Sequence, residues 1–217
     1  MVNRKLKGSL LASVGLILIA ASLSAQTPKN EPLPKLLSVR EQQLVRESWL
    51  KQRLDTMLLP MMRQQKIDMW IVVNEEFHAD PVTAYIAPPL PYVGRREFFI
   101  FSDRGGDKLD RVALVRYGEE HLKYFFEVLT PPGAEIASTL RRIVEERKPK
   151  TIALNMGGTR GATNGLTHDS FKYLTETLGQ DYASRFVPAA ARMPSRFRRQ
   201  SPRRCRDSSH AHRRDPR

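Results

Sequence analysis

Ile67-Asp68-Met69-Trp70-Ile71-Val72-Val73 decides the fold. From Met69 it is a continuous apolar run, bounded by Asp68 and Asn74. A run of this length with no polar alternation reads as a strand buried on both faces, which requires layers above and below the sheet. Upstream, Ser38 and Glu41 have capping-box spacing at a helix start. Leu44, Leu50, Leu54, Leu58 and Met61 then recur at helical intervals, with Trp49 beside them, and Pro60 is expected to kink or end the helix. Downstream, residues 81–94 carry Pro81, Pro88, Pro89, Pro91 and Gly94 and read as loop. Phe98-Phe99-Ile100-Phe101 is a second strand, 103–107 a turn, Val112–Arg116 a third strand, and 122–129 holds room for a short fourth. Pro131-Pro132-Gly133 introduces a helix with Ile136, Leu140, Ile143 and Val144 on one face, closed by Pro149. Thr151–Leu154 is another buried strand. Thr167 caps a helix bearing Phe171, Leu174 and Leu178, and Gly179 ends it. Strands clustered between helices predict an α/β domain with a mixed sheet flanked by helices.

The ends of the chain differ from this body. Arg4, Lys5 and Lys7 precede the apolar run Leu10–Leu23, and Ser22-Leu23-Ser24-Ala25 supplies small residues for cleavage. That is the secretory pattern, and the run falls short of the ~20 residues of a spanning helix. Residues 1–25 are therefore expected to be a signal peptide and 26–37 an extended leader. The domain occupies 38–191, in a protein exported to the periplasm or cell exterior with no membrane span after cleavage. Residues 192–217 hold ten Arg and two Asp with no apolar period, and cannot fold alone. Three origins fit this tail: a disordered cationic tail, an arm for nucleic acid or an anionic surface, or a shifted reading frame in GC-rich DNA. The frame shift best explains the abrupt onset. The formal net charge is +13, but tail and signal peptide carry most of it and the body is nearly neutral. It has no general pull toward phosphate backbones, so nucleic acid is not an expected partner. The single cysteine, Cys205, excludes an intramolecular disulfide.

Few residues have catalytic spacing. His78-Ala79-Asp80, after the first buried strand, offers a proton shuttle or two metal ligands, but no second ligand pair accompanies it. Glu75 and Glu76 form a carboxylate pair that does acid–base work only if their environments differ. Gly157–Gly165 is rich in glycine between a strand and a helix, yet fits neither phosphate-binding spacing. Ser102-Asp103 and His168-Asp169-Ser170 supply the letters of a hydrolase triad without a nucleophile elbow. Arg95-Arg96 offers an anion contact or a pairing with nearby acids.

Taken in order, Leu59-Pro60-Met61-Met62-Arg63, Ile67-Asp68-Met69-Trp70-Ile71-Val72 and Asp80-Pro81-Val82 resemble the N-terminal domain of the creatinase, prolidase and aminopeptidase P metallopeptidases. Exported bacterial members of the Xaa-Pro aminopeptidase type are the nearest in kind. Arg95-Arg96, Asp110-Arg111, Pro149–Asn155, Asn164-Gly165-Leu166-Thr167 and Arg185–Ala189 continue the match, the last as the exit from the domain. Glu75 stands where the family often has Arg. The resemblance implies a non-catalytic domain that serves oligomer contacts and gates an active site. Asn74, Glu75, Glu76, Phe77, His78, Asp80, Arg95 and Arg96 are the expected gating or interface residues. It also implies a catalytic domain with two divalent metals (Mn, Zn or Co) held by two Asp, one His and two Glu. None of those ligands is placed in this chain, so a truncated or frame-shifted product, inactive alone on peptide substrates, is expected. The alternatives are a stand-alone exported binding module that docks through its cationic tail, and a small enzyme using Glu76, His78 and Asp80.

Overall fold

The computed structural model describes residues 36–89, 93–118, 120–158 and 164–189. The expected signal peptide, nearly all of the expected leader, the tail and part of the Gly157–Gly165 loop lie outside the described residues. The elements are α1 (Val39–Gln52), a π-helical turn (Arg53–Met57), α2 (Leu58–Gln64), β1 (Met69–Glu75), α3 (Thr83–Ile86), β2 (Arg96–Asp103), β3 (Leu109–Leu114) and α4 (Glu120–Lys123). They continue with β4 (Glu127–Leu129), α5 (Ile136–Arg147), β5 (Ile152–Leu154), α6 (His168–Leu178), α7 (Gln180–Ala183) and β6 (Phe186–Pro188). The six strands form one mixed sheet in the order β4-β3-β2-β1-β5-β6. β1 is antiparallel to β2 and parallel to β5. The fold is α/β, with a mixed sheet between helical layers.

β1 occupies a central position because both of its faces are apolar. Trp70 and Val72 join the core with Leu50, Leu54, Leu58 and Met62 on the α1–α2 side. Met69, Ile71 and Val73 join Leu140, Ile143, Val144, Leu174 and Leu178 of α5 and α6 on the other. Each fully buried side chain of this size contributes roughly 1.5–3 kcal/mol, so the five apolar residues Met69 to Val73 dominate the choice of register. α5 ends at Lys148, left-handed at φ 48, and Pro149 prevents resumption. α6 begins with Thr167 Oγ1 accepting from Ser170 N at 3.0 Å and ends at Gly179, φ 79.

The structure departs from the sequence expectations in four places. Ser38 and Glu41 do form the capping box, but α1 buries only Leu50. Leu44 and Trp49 are exposed, and α1 instead meets α4 through polar groups, with Gln43 and Glu47 reaching His121. Pro60 does not end the helix, which continues to Gln64. Pro60 has no N–H to give to the carbonyl four residues back, and the helix is π-helical just upstream, where the Leu58 N–H reaches the Arg53 carbonyl. The third strand starts and stops earlier than expected. Finally, β6, taken from sequence only as a domain exit, is a sheet strand paired with β5. One-turn helices α3, α4 and α7 lie in stretches too short to show a period.

Candidate functional site

Most of the residues singled out from the sequence gather at the C-terminal end of β1. Crevices at the carboxyl ends of strands in an open α/β sheet are where such folds place ligands. Alternation along β1 sends Asn74 to the α1–α2 side with Trp70 and Val72, and Glu75 to the α6 side with Val73. Two polar clusters therefore sit back to back on consecutive residues.

The first cluster is buried. Asn74 Oδ1 accepts from the backbone N–H of Asp80 and from Thr83 Oγ1, both at 2.8 Å. Asp80 is 1 % exposed; its Oδ1 accepts from Val82 N at 2.9 Å and its Oδ2 from Asn155 Nδ2 at 2.8 Å. Asn155 Oδ1 in turn accepts from Trp70 Nε1 at 3.2 Å. An indole nitrogen only donates, so Trp70 fixes the orientation of the Asn155 amide, and that amide presents a donor to Asp80. The polarity of the chain suits a carboxylate that accepts at both oxygens. Burial nevertheless raises the pKa of Asp80, against the hydrogen bonds from Val82 and Asn155 and the nearby His78. Gly165 closes over this carboxylate: a Cβ there would lie 2.4 Å from its carbon. Glu97, the cross-strand neighbour of Asn74, is also buried and accepts from Gly94 N and Arg116 N.

The second cluster anchors α6. Glu75 faces Arg96 across the β1–β2 ladder and pairs with it at 3.1 Å. The same carboxylate accepts from Thr167 Oγ1 at 2.9 Å and, at closer range, from Ser170 Oγ. It supplies the negative charge favoured at a helix N-terminus. Arg96 Nε donates to Ser170 Oγ at 2.7 Å, and its guanidinium lies 4.4 Å from the Tyr173 ring centroid. Burial acts to raise the pKa of Glu75, but the hydrogen bonds from Ser170, Thr167 and Arg96 outweigh it and hold the group below its ordinary value.

Between the clusters the chain makes a tight turn, with Glu75 and His78 exchanging both backbone hydrogen bonds at 3.0 Å. Phe77 at its tip is 97 % exposed with φ 58, a left-handed conformation that costs an L-residue roughly 1–2 kcal/mol. His78 Nε2 lies 3.2 Å from the carbonyl oxygen of Gly165, so this nitrogen carries the hydrogen. Glu76 and Arg95 are exposed and belong to neither cluster.

Of the expected residues, Asn74 and Asp80 share one cluster, Glu75 and Arg96 the other, and Phe77 and His78 form the turn between them. Trp70, Asn155, Gly165, Thr167 and Ser170 complete the arrangement; of these, Gly165 was weighed only as part of a glycine-rich loop and Ser170 only as a triad letter, and the other three were not read as site residues. The only signal for Asn155 was a polar residue directly after a buried strand. His78 and Asp80 do not fit a metal, because both Asp80 oxygens and His78 Nε2 already have partners. Among the described residues no group of three or more His, Cys, Asp or Glu is placed to hold one. The triad letters do not converge: Ser102 faces Met69 at the opposite end of β1 from the α6 start.

No family model matches the chain, and no curated protein is similar to it. Two solved structures are. One is the X-Pro aminopeptidase from Thermotoga maritima MSB8, 21% identical with a TM-score of 0.40, the match covering 55% of this chain and 31% of that one. The other is an Xaa-Pro dipeptidase from Bacillus anthracis, 15% identical with a TM-score of 0.40, the match covering 68% of this chain and 34% of that one. The chain thus spans about a third of the length of either.

Proposed function

We propose that this chain is the N-terminal, non-catalytic portion of an exported Xaa-Pro aminopeptidase-like metallopeptidase, and that its Asn74–Asp80 segment serves subunit contact and active-site gating. The observation that carries this is the Glu75–His78 turn. It holds an almost fully exposed aromatic in an unfavourable backbone conformation, on a base braced by two polar clusters. Strain of this kind persists only where the surroundings over-determine it, and it concentrates at functional positions. A rigid, exposed aromatic suits an anchor that enters a pocket on a second subunit. The order of sequence matches from Leu59 to Ala189 supports the family assignment. In this proposal the metals and the peptide-cleaving groups belong to a catalytic domain, and the residues of the two clusters position rather than react.

The test is hydrolysis of an Xaa-Pro peptide by the purified chain with added Mn, Zn or Co. No turnover is expected, and metal-dependent cleavage would overturn the assignment. The contact role is tested by Phe77→Asn, since Asn tolerates the left-handed conformation. Sedimentation should show weaker self-association with the fold intact; unchanged association would remove Phe77 from the interface.

A further inference from the structure

Asn164-Gly165 is a second kind of site, and it needs no partner domain. The chain has five asparagines, and only Asn164 is followed by glycine. The asparagine side chain is exposed, and it makes no hydrogen bond to a described residue. The backbone N–H of Gly165 donates to no described group either, whereas the next amide, Leu166 N, is tied to Asn155 O at 2.9 Å. An exposed asparagine thus stands beside the backbone nitrogen of the buried Gly165, which has no partner among the described residues and no Cβ of its own to shield it. The glycine cannot be exchanged for a safer residue, because any Cβ at 165 would strike the Asp80 carboxyl at 2.4–2.7 Å. The packing that requires Gly165 therefore also fixes the reactive pair.

We propose that Asn164 is a self-modification site whose conversion loosens the buried Asp80 cluster. The Gly165 nitrogen, as it loses its proton, attacks Asn164 Cγ. The new C–N bond closes a succinimide ring, and the side-chain nitrogen leaves as ammonia. Water then opens the ring at either carbonyl, giving aspartate or, with the backbone rerouted through Cβ, isoaspartate. Atoms balance with water alone, and nothing is oxidised or reduced. Isoaspartate lengthens the main chain by one atom immediately before Gly165. The Gly165 carbonyl that receives His78 Nε2 and the Cα seated on Asp80 then shift together. That displacement acts against the bonds that hold the His78 turn.

The experiment ages the full chain at mildly alkaline pH and maps it by mass spectrometry, with isoaspartyl methyltransferase labelling to separate the two products. Hydrogen exchange at His78 N and Val82 N is followed in the same samples. Conversion at Asn164 ahead of Asn74 and Asn155 is expected, with loss of protection at His78 and Val82 in step with the isoaspartate fraction. Asn164→Gln should stay unmodified and keep its protection. An intact Asn164 after the other asparagines have reacted would overturn the site. Conversion with unchanged protection would overturn its link to the Asp80 cluster.

Discussion

Gly165→Ala is the sharpest test of the buried cluster. The added Cβ would lie 2.4 Å from Asp80 Cγ and Oδ2 and 2.7 Å from Oδ1. Ordinary contacts are ~3.5–4.0 Å, so the shortfall exceeds what a few tenths of an ångström of movement can relieve. The obstructing group is a carboxyl held by Val82 N and Asn155 Nδ2, not the end of a flexible chain. If the backbone of residue 165 moves, overpacking of this kind costs roughly 1–3 kcal/mol. If the carboxyl moves instead, it gives up hydrogen bonds to a charged group worth ~1.5–3 kcal/mol each. The cheaper route sets the loss, at roughly 1–3 kcal/mol. Urea unfolding followed by the fluorescence of buried Trp70 should show it as a lower midpoint at unchanged slope. Asp80→Ala removes the obstruction at some cost of its own, and in that background Gly165→Ala should be far less costly. The resulting double-mutant coupling should be at least ~1 kcal/mol. A Gly165→Ala protein within ~0.5 kcal/mol of the parent, in the range of an ordinary surface change, would refute the packing argument.

Other predictions follow from the same geometry. Glu75→Gln should cost ~1–3 kcal/mol at neutral pH, because it leaves Arg96 and the α6 start without their carboxylate. Since the folded-state pKa of Glu75 is lowered, its contribution is present above the unfolded value and fades as pH falls through the folded one; a thermal-melt pH series should show the mutant's deficit shrinking in acid. Asp80 has the opposite sign: its folded pKa is raised, so its contribution is complete below the unfolded value and is lost as pH rises through the folded value. In Asp80→Asn that pH-dependent component should vanish from the stability profile, and the new amide should lose ~1–3 kcal/mol by presenting a donor to Asn155 Nδ2. Ser38→Ala should weaken α1 by ~1 kcal/mol, read as faster hydrogen exchange confined to α1, because so little of that helix is packed.

What the sequence disclosed depended on how many residues each decision averaged over. β1 and β2 were plain because their buried runs are long, and α5 and α6 because apolar spacing, caps and stops agreed. β6 escaped notice because three residues, Phe186-Val187-Pro188, carry no period, and it becomes a strand only by lying beside β5. The outward placement of Leu44 and Trp49 was illegible for a related reason: a helical repeat shows that a face exists, not which body it turns toward. The site was half visible. Asn74, Glu75, His78 and Asp80 announced themselves as polar groups after a buried strand. Asn155, Gly165, Thr167 and Ser170 lie 75 or more residues further on, and only the parallel pairing of β1 with β5 brings them there.

The back-to-back arrangement on Asn74 and Glu75 limits how this chain can change in length. Removing one residue from β1 would turn Glu75 toward the Asp80 cluster and Asn74 toward Arg96, undoing both at once, whereas a point substitution damages one. The turn at 103–107, held chiefly by Arg63 on Asp103 and the Gly106 carbonyl, has no such dependence. Lineages of this fold should therefore gain and lose residues freely there, and keep the count from Met69 to Asp80 fixed even where the letters drift.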